Sequence, residues 1–373
     1  MLVGIYGLVL LAKRRDMPRD LIDVFRWMAA CYLLVVAADF INGGGWSNFQ
    51  TVTDYLPLLA LAPYAYAIRQ VGITPRVFDW TIAAAILLAV LVSSFRVAIL
   101  GESRPGGFHV ASVGYGVVIS VLATLLFSRA FEAKSGQRWW FAISAAAFLP
   151  VLLSGSKIAI ICIVTGFLIV GFIWVRQSGR WRAWTIGLIV ASVSFCVVFY
   201  WTAYYRLQSL LYELHDMYLT GKPVNESFGG RYAMNESSLR AFWEKPLFGH
   251  GLAERVEVMR AHATPGGVDF SDLPYIHSDY ATHLVAFGIC GAAFLLLYLF
   301  SLYRLSNRSG DVAYRRAGIA IVAMLAVYMT ADVAFNMDPI GGILTLAFGI
   351  ILSVPPRPAP APSAIDGIST NSG

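Results

Sequence analysis

A polar, arginine-bearing stretch, GGRYAMNESSLRAFWEKPLFGHG at residues 229–251, stands out in a chain that otherwise consists of apolar runs. The spacing predicts a helix that begins near Arg231 and ends before Pro246. At a helix start, a guanidinium and free backbone amides can bind an anion together. Arg240 follows nine positions later, about 180° around an ideal helix, so the two cations need not face one ligand. The predicted chemistry is anion binding, centred on Arg231.

The elements that must position this stretch are membrane helices. Hydrophobic residues make up 58% of the chain, charged residues 13%, and the mean hydropathy is +0.65, all far from soluble averages. We predict an all-α polytopic membrane protein with about eleven transmembrane helices, or twelve if an upstream helix is missing, because the first apolar run is too short to span. The predicted helices are 1–12, 22–40, 54–69, 80–99, 109–129, 139–152, 157–175, 184–203, 280–303, 315–335 and 339–353.

The orientation follows from the Lys and Arg residues of the short connections, which are retained on the cytoplasmic side. These residues concentrate in alternate loops, around 13–19, 69–76, 129–138, 176–182 and 304–316. The net charge of +6 is therefore mainly a topology signal and gives no support for nucleic-acid binding. We predict helices one to eight in 1–203, an outward loop with amphipathic helices and the candidate site in 204–278, helices nine to eleven in 279–353, and a disordered proline-rich cytoplasmic tail in 354–373.

Ionisable residues gather at the predicted outward helix ends, where each is unfavourable unless it is paired or functional. The alternative is that helix-end charges extend to the interface and pair with one another. This group contains Asp39, Asp54, Arg96, Lys157, Asp332 and Asp338.

The order of three short motifs resembles the O-antigen ligase and O-antigen polymerase family, which are membrane glycosyltransferases. Arg231 is followed after fifteen residues by Pro246 in PLFGHG, and His277 is followed after eleven residues by Gly288. Ser154-Gly155-Ser156-Lys157 is similar to the family's Ser-x-Ser-Arg, with Lys157 in place of the usual Arg. Ser278 likewise stands where the family usually has Asn.

The resemblance implies a bacterial inner-membrane enzyme with a periplasmic site, which transfers a glycan from undecaprenyl diphosphate to a hydroxyl of the lipid A core or of another glycan. It implies His277 as the base, since histidine titrates near working pH. Charge on the leaving diphosphate would be compensated by cations. The cations are Arg231 and Lys157, with Arg240 and Arg96 in support; Asp39, Asp332 and Tyr275 are supporting candidates. Neither a cofactor nor a metal is implied.

Several alternatives stay open at this point. His277 would otherwise cap the ninth helix, and His283 and His250 are interpreted as structural. Tyr275 would otherwise be an ordinary aromatic residue of the membrane interface. A polymerase of the same family is the nearest alternative function. A secondary transporter is disfavoured by the absence of a sequence repeat, and a non-enzymatic scaffold is disfavoured only by the Arg231 and His277 spacing.

Overall fold

The computed structural model describes most of the chain, with gaps. The described residues are 17–42, 53–106, 111–132, 139–179, 212, 215, 218–219, 229–264, 270, 275–335 and 338–355. The predicted helices 1–12 and 184–203 and the proline-rich tail after Pro355 lie outside them. The same is true of most of the amphipathic segment predicted near the start of the outward loop.

The described residues form helices and turns and contain no strand, which confirms the all-α class. Their helices are α1 (Arg19–Ile41), α2 (Pro57–Val71), α3 (Pro75–Ala98), α4 (Ser112–Ala130), α5 (Trp139–Ala146), α6 (Phe148–Leu153), α7 (Lys157–Ser178), α8 (Gly229–Glu244), α9 (Arg255–Ala261), α10 (Asp279–Arg308), α11 (Val312–Tyr328) and α12 (Asp338–Ser353).

Five of these helices, namely α1, α3, α4, α7 and α10, are long and apolar enough to cross a membrane. Two shorter apolar segments, Trp139–Leu153 and Pro339–Ser353, accompany them. The described part of the chain thus agrees with a multi-pass membrane protein. It does not establish the predicted total of eleven helices.

The bundle is held together by pairs of neighbouring helices. α7 packs against α4 and α11, α10 packs against α1 and α11, and α2 lies between α1 and α12. The contact faces are apolar and continuous, so most of these helices share one core. The loop helices α8 and α9 pack on each other and on α10 and form a smaller second core around Met234, Met259 and Ile276.

One end of the bundle is closed by ion pairs. Arg129 at the end of α4 contacts Asp79 Oδ2 at 2.8 Å and Asp311 Oδ2 at 2.5 Å. Arg69 contacts Asp20 Oδ2 at 2.6 Å and donates to the carbonyl of Leu352. These bonds join α1, α2, α3, α4, α11 and α12 on the side opposite the loop helices.

The largest difference from the predicted helices concerns 315–335. The helix α11 ends at Tyr328, and residues 329–335 form a non-helical turn that contains Asp332. Hydropathy alone does not detect this end, because the turn is stabilised by long-range bonds. The backbone N–H of Asp279 donates to the carbonyls of Met329 and Asp332, and the Asp279 carboxylate accepts from the N–H of Ala334.

Candidate active site

The PLFGHG segment, residues 246–251, completes a break in the long helix α10. At Gly288 the backbone has φ 61° and ψ −142°, so the helical hydrogen bonds are interrupted there. The segment replaces them in both directions. The N–H groups of His250 and Gly251 donate to the carbonyls of Val285 and Ala286, and the N–H of Ile289 donates to the carbonyl of Pro246.

Two glycines make this backbone-on-backbone contact feasible. A Cβ on Gly249 would lie 2.4 Å from the carbonyl carbon of Ala286, and one on Gly288 would lie 2.5 Å from the carbonyl oxygen of Pro246. Both residues also have positive φ, a conformation that L side chains rarely adopt. Gly249 of PLFGHG and Gly288, eleven residues after His277, are therefore both required for the same contact between two backbone segments.

The end of α1 holds the same turn from the other side. The buried Asp39 accepts a hydrogen bond from the N–H of Leu252 at 2.9 Å through Oδ1, and Asn42 donates to the carbonyl of Phe248 at 2.8 Å. Asp39, predicted as a supporting site residue, therefore contacts the backbone of the PLFGHG turn and its continuation. Its contacts position the turn.

His277 lies immediately before α10, but it does not cap the helix. The cap is Ser278, whose side chain accepts the N–H of Ala281 at 3.3 Å. The Nδ1 atom of His277 is buried without a hydrogen-bond partner among the described residues and lies 3.7 Å from Asp332 Oδ1. The imidazole therefore lies with Nδ1 towards a carboxylate, and this nitrogen makes no hydrogen bond.

Tyr275 connects His277 to the cation side of the site. The rings of the two residues meet edge to face with centroids 4.6 Å apart. The pKa of Tyr275 is raised, first by burial and then by the negative charge of Asp332, while the positive charge of Arg231 lowers it. The structure thus joins three residues that the sequence analysis named separately, Tyr275, His277 and Asp332, and Arg231 is near enough for its charge to act on Tyr275.

Arg231 lies in the first turn of α8 and is half-buried. Within the described residues it makes neither an ion pair nor a hydrogen bond, so its guanidinium donors are available. Arg240, by contrast, is exposed and pairs with Glu236 Oε1 at 2.5 Å, one turn back on the same helix. The two arginines therefore have different surroundings, as the nine-residue spacing predicts.

Lys157 and Arg96 lie away from this cluster. Lys157 is exposed and begins α7 after the cap Ser156, whose side chain accepts from Ala159 N. The Cys162 thiol, little more than a turn beyond Lys157, contacts the carbonyl of Met324 on α11, so Lys157 and the turn after α11 share one side of the bundle. Arg96 pairs with Glu102 at 2.9 Å and donates to the carbonyl of Gly106. No described contact links Lys157 or Arg96 to Arg231 or His277.

Asp279 was not identified by the sequence analysis, although it lies two residues from His277. Its side chain is fully buried; Oδ2 accepts the N–H of Ala334 at 2.6 Å, and Oδ1, 4.0 Å from His283 Nδ1, has no hydrogen-bond partner in the described part of the chain. Its backbone N–H donates to Met329 and Asp332. Asp279 therefore fixes the start of α10 against the turn that carries Asp332.

Arg255 was missed as well, and it is almost fully buried under the loop. Its Nη1 donates to the carbonyl of Leu252, and its Nε has no hydrogen-bond partner among the described residues. Burial lowers its pKa, and the negative charges of Asp54, Asp39 and Asp279 oppose that effect. The sequence alone does not reveal that Arg255 is a buried cation near several acids, because that proximity depends on which helix ends meet in the fold.

His283 has the structural role that the sequence analysis gave it. Its Nδ1 lies 2.7 Å from the carbonyl of Asp279, and its Nε2 lies 2.8 Å from the Tyr55 hydroxyl. The ring is fully buried and stacks on Phe294. Among the described residues, no group of three or more His, Cys, Asp or Glu suits a metal ion.

Residues 141–296 match the sequence model of the O-antigen ligase family. This part of the chain, somewhat less than half of it, is similar to the O-antigen ligase family. The match includes Lys157, Arg231, the PLFGHG segment, His277 and Gly288, whereas Asp39, Arg96 and Asp332 lie outside it. No curated protein matches the chain. The match supports a glycosyltransferase-like membrane enzyme that acts on lipid-linked glycans.

Proposed function

We propose that this protein transfers a glycan from undecaprenyl diphosphate to an acceptor hydroxyl, on the periplasmic face of the bacterial inner membrane. The observation that carries the proposal is that His277 lies beside Asp332 and against the ring of Tyr275, which also feels the positive charge of Arg231. Arg231 makes no ion pair within the described residues, so this set offers an anion-binding group and a proton acceptor, and the family match supports a lipid-linked glycan as the substrate.

In the proposed reaction, the acceptor oxygen attacks the anomeric carbon of the donor sugar. The bond from this carbon to the diphosphate oxygen breaks, and the lipid diphosphate leaves with the electron pair. His277 takes the proton of the acceptor hydroxyl, and Asp332 stabilises the imidazolium that forms. Arg231 compensates the charge that develops on the diphosphate, with bidentate hydrogen bonds available from its guanidinium. Lys157 has no described contact with Arg231, but it lies at the same end of the bundle and is the second cation proposed for the diphosphate.

Asp279 acts in this proposal as a positioning residue. It holds the turn 329–335 through Ala334 and through its own backbone N–H, and this turn carries Asp332 to within 3.7 Å of the His277 ring. A displacement of about 1 Å in such a pair can lower a rate about 10²-fold. The fixed geometry of the base therefore depends on a residue that touches neither substrate.

The test is a transfer assay with purified protein, a lipid-linked glycan and a separate acceptor. We expect Arg231→Ala to abolish transfer and weaken donor binding, and Arg231→Lys to recover only part of the activity, because an ammonium lacks the bidentate fork. His277→Ala should lower turnover about 10²- to 10⁴-fold while donor binding is retained. Arg26→Ala, at an exposed position on the opposite end of the bundle, is the control. Full turnover in both site variants would refute the proposal.

The same assay separates the ligase from its nearest alternative. A ligase passes the glycan to a lipid A core, whereas a polymerase passes it to a second lipid-linked repeat. Offering both acceptors with one donor and identifying the product by mass spectrometry decides between them. Uptake of free donor without transfer would instead support a transporter.

A further inference from the structure

We propose that the end of α8 and the turn after it, residues 243–248, are immersed in the lipid leaflet on the side of the candidate site. The partner of this surface is the acyl-chain region of the bilayer. The inference goes beyond the transfer reaction, because it makes a segment of the outward loop part of the membrane-embedded surface. It also places the helix that carries Arg231 at the depth of lipid head groups.

The first observation is that several large apolar side chains at the end of α8 and in the turn after it are exposed, which is unfavourable in water. Trp243 is 69% exposed and Leu247 is 61% exposed, and Phe248 adds a third large apolar side chain. Leu239 lies one turn before Trp243 and is also exposed. A contiguous exposed patch of this kind marks a contact with a membrane or another apolar partner.

The second observation identifies the partner, because this patch continues the outer face of a membrane-spanning helix. The N–H groups of Ile289 and Cys290 donate to the carbonyls of Pro246 and Leu247, so the turn is fixed beside that part of α10. Ile289 is 57% exposed and Leu296 is 69% exposed, seven residues further along. Such spacing places Ile289 and Leu296 on one helix face.

The depth of the turn follows from the length of α10. Beyond the break at Gly288, α10 is unbroken as far as Arg308, and Arg304 lies 16 residues after Gly288, or about 24 Å at about 1.5 Å per residue, whereas the hydrocarbon core is about 30 Å thick. Arg304 and Arg308 mark its polar end. Counting about 20 residues back from Arg304 reaches Leu284. Gly288, and with it Pro246 and Leu247, therefore lies inside the hydrocarbon region.

The charged residues nearby agree with a position just below the interface. Lys245 is exposed between Trp243 and Leu247, and its long apolar stem allows the ammonium to reach lipid phosphates. Glu244 points instead to His262 Nε2 on the loop side, at 2.8 Å. The Glu236–Arg240 pair precedes the segment 243–248, and Arg240 lies three residues before Trp243. Trp is also the residue most typical of the membrane interface, together with Tyr.

The test is collision-based spin-label spectroscopy of the full chain in phospholipid nanodiscs. Nitroxides are attached to single cysteines at Trp243, Leu247, Leu296 and Glu257, in a background with Cys31, Cys162, Cys196 and Cys290 changed to alanine. Leu296 is the reference for lipid, and Glu257 on α9 is the exposed reference for water. We expect the labels at Trp243 and Leu247 to collide readily with oxygen and poorly with a water-soluble nickel chelate, as at Leu296.

Two results would overturn the inference. Access of the nickel chelate equal to that at Glu257 would place the turn in water, and protection from both reagents would show that protein covers it. A second arm keeps the native cysteines, replaces Leu247 with photoreactive benzoylphenylalanine and identifies the photoproduct by mass spectrometry. A phospholipid adduct is expected, whereas a crosslink to a second copy of the chain would contradict the proposal. Neither arm uses a glycan, so the outcome is independent of the proposed transfer.

Discussion

The two ends of the helix bundle use charged residues in opposite ways. At the end without loop helices, Arg129, Arg69 and Arg308 each contact a carboxylate. Among the described arginines of that end, the buried Nε atoms of Arg315 and Arg316 have no hydrogen-bond partner, although each residue makes a hydrogen bond through Nη2. At the site end, Arg231 makes no ion pair within the described residues, and His277 Nδ1, Asp279 Oδ1 and Arg255 Nε have no hydrogen-bond partner.

This difference separates charges that hold the fold from charges that are available for chemistry. A buried polar group without a partner raises the free energy of the folded state. Local rules of stability are broken in this way chiefly where function requires it. We therefore expect substitutions at the closed end to lower the free energy of unfolding, and substitutions at the site end to lower the rate of transfer.

The largest effect is expected at the closed end. Arg129→Met leaves Asp79 and Asp311 without their shared cation, and breaking such a buried pair lowers the free energy of unfolding by about 3 kcal/mol. Turnover per folded molecule should not change. Reversible unfolding in mixed micelles measures the loss. The matched control is Arg26→Met, whose exposed pair with Asp23 at 3.9 Å should contribute less than about 1 kcal/mol. Equal stability of the two variants would remove the distinction between the ends.

At the site end, Asp279→Ala removes the acceptor of the Ala334 N–H and releases the turn that carries Asp332. We expect kcat to fall about 10- to 100-fold with little change in donor KM, because the base loses its fixed geometry. Asp279→Asn keeps an accepting oxygen and should restore most of the turnover. Steady-state kinetics with saturating acceptor measure kcat and the donor KM separately. An alanine variant with normal kcat would show that Asp279 does not position the base, and an asparagine variant as slow as alanine would assign the effect to charge.

The smallest effect is expected between the loop helices, where His262 joins Glu244. The pKa of His262 is raised, first by the carbonyl of Val258 and then by Glu244, and the pKa of Glu244 is lowered by His262. The histidine contribution is complete below its ordinary pKa of 6.5 and is lost as pH rises through the raised value. The glutamate contribution is present above 4.5 and is lost as pH falls through the lowered value. The contact is therefore strongest in mildly acidic solution.

Hydrogen exchange of residues 255–264, corrected for intrinsic rates, tests this pH dependence. Protection in the unmodified protein should be greater at pH 6 than at pH 8. In His262→Gln and in Glu244→Gln, protection at pH 6 and at pH 8 should be nearly equal. A pH dependence that persists in both variants would mean that the contact does not titrate as described.

Much of the site was predictable because its residues are close in sequence or follow a recognisable spacing. The helix around Arg231 ends before a proline and was located within two residues. Arg231 and His277 were named from their distances to PLFGHG and Gly288. Asp279 and Arg255 were missed because their importance comes from burial and from bonds to residues such as Ala334 and Leu252, which no local pattern encodes.

The sequence by itself determined the helical membrane class, the family resemblance and the residue types that carry the proposed chemistry. Apolar runs specify helices because backbone groups in lipid must be bonded within their own segment. The tertiary structure decided which charged side chains are ion-paired and which are left to bind a substrate. It separated Arg240, paired with Glu236, from Arg231 on the same helix. It also ended α11 at Tyr328, because the Asp279 carboxylate and backbone bind a turn more than fifty residues away, a contact that exists only after the helices have packed.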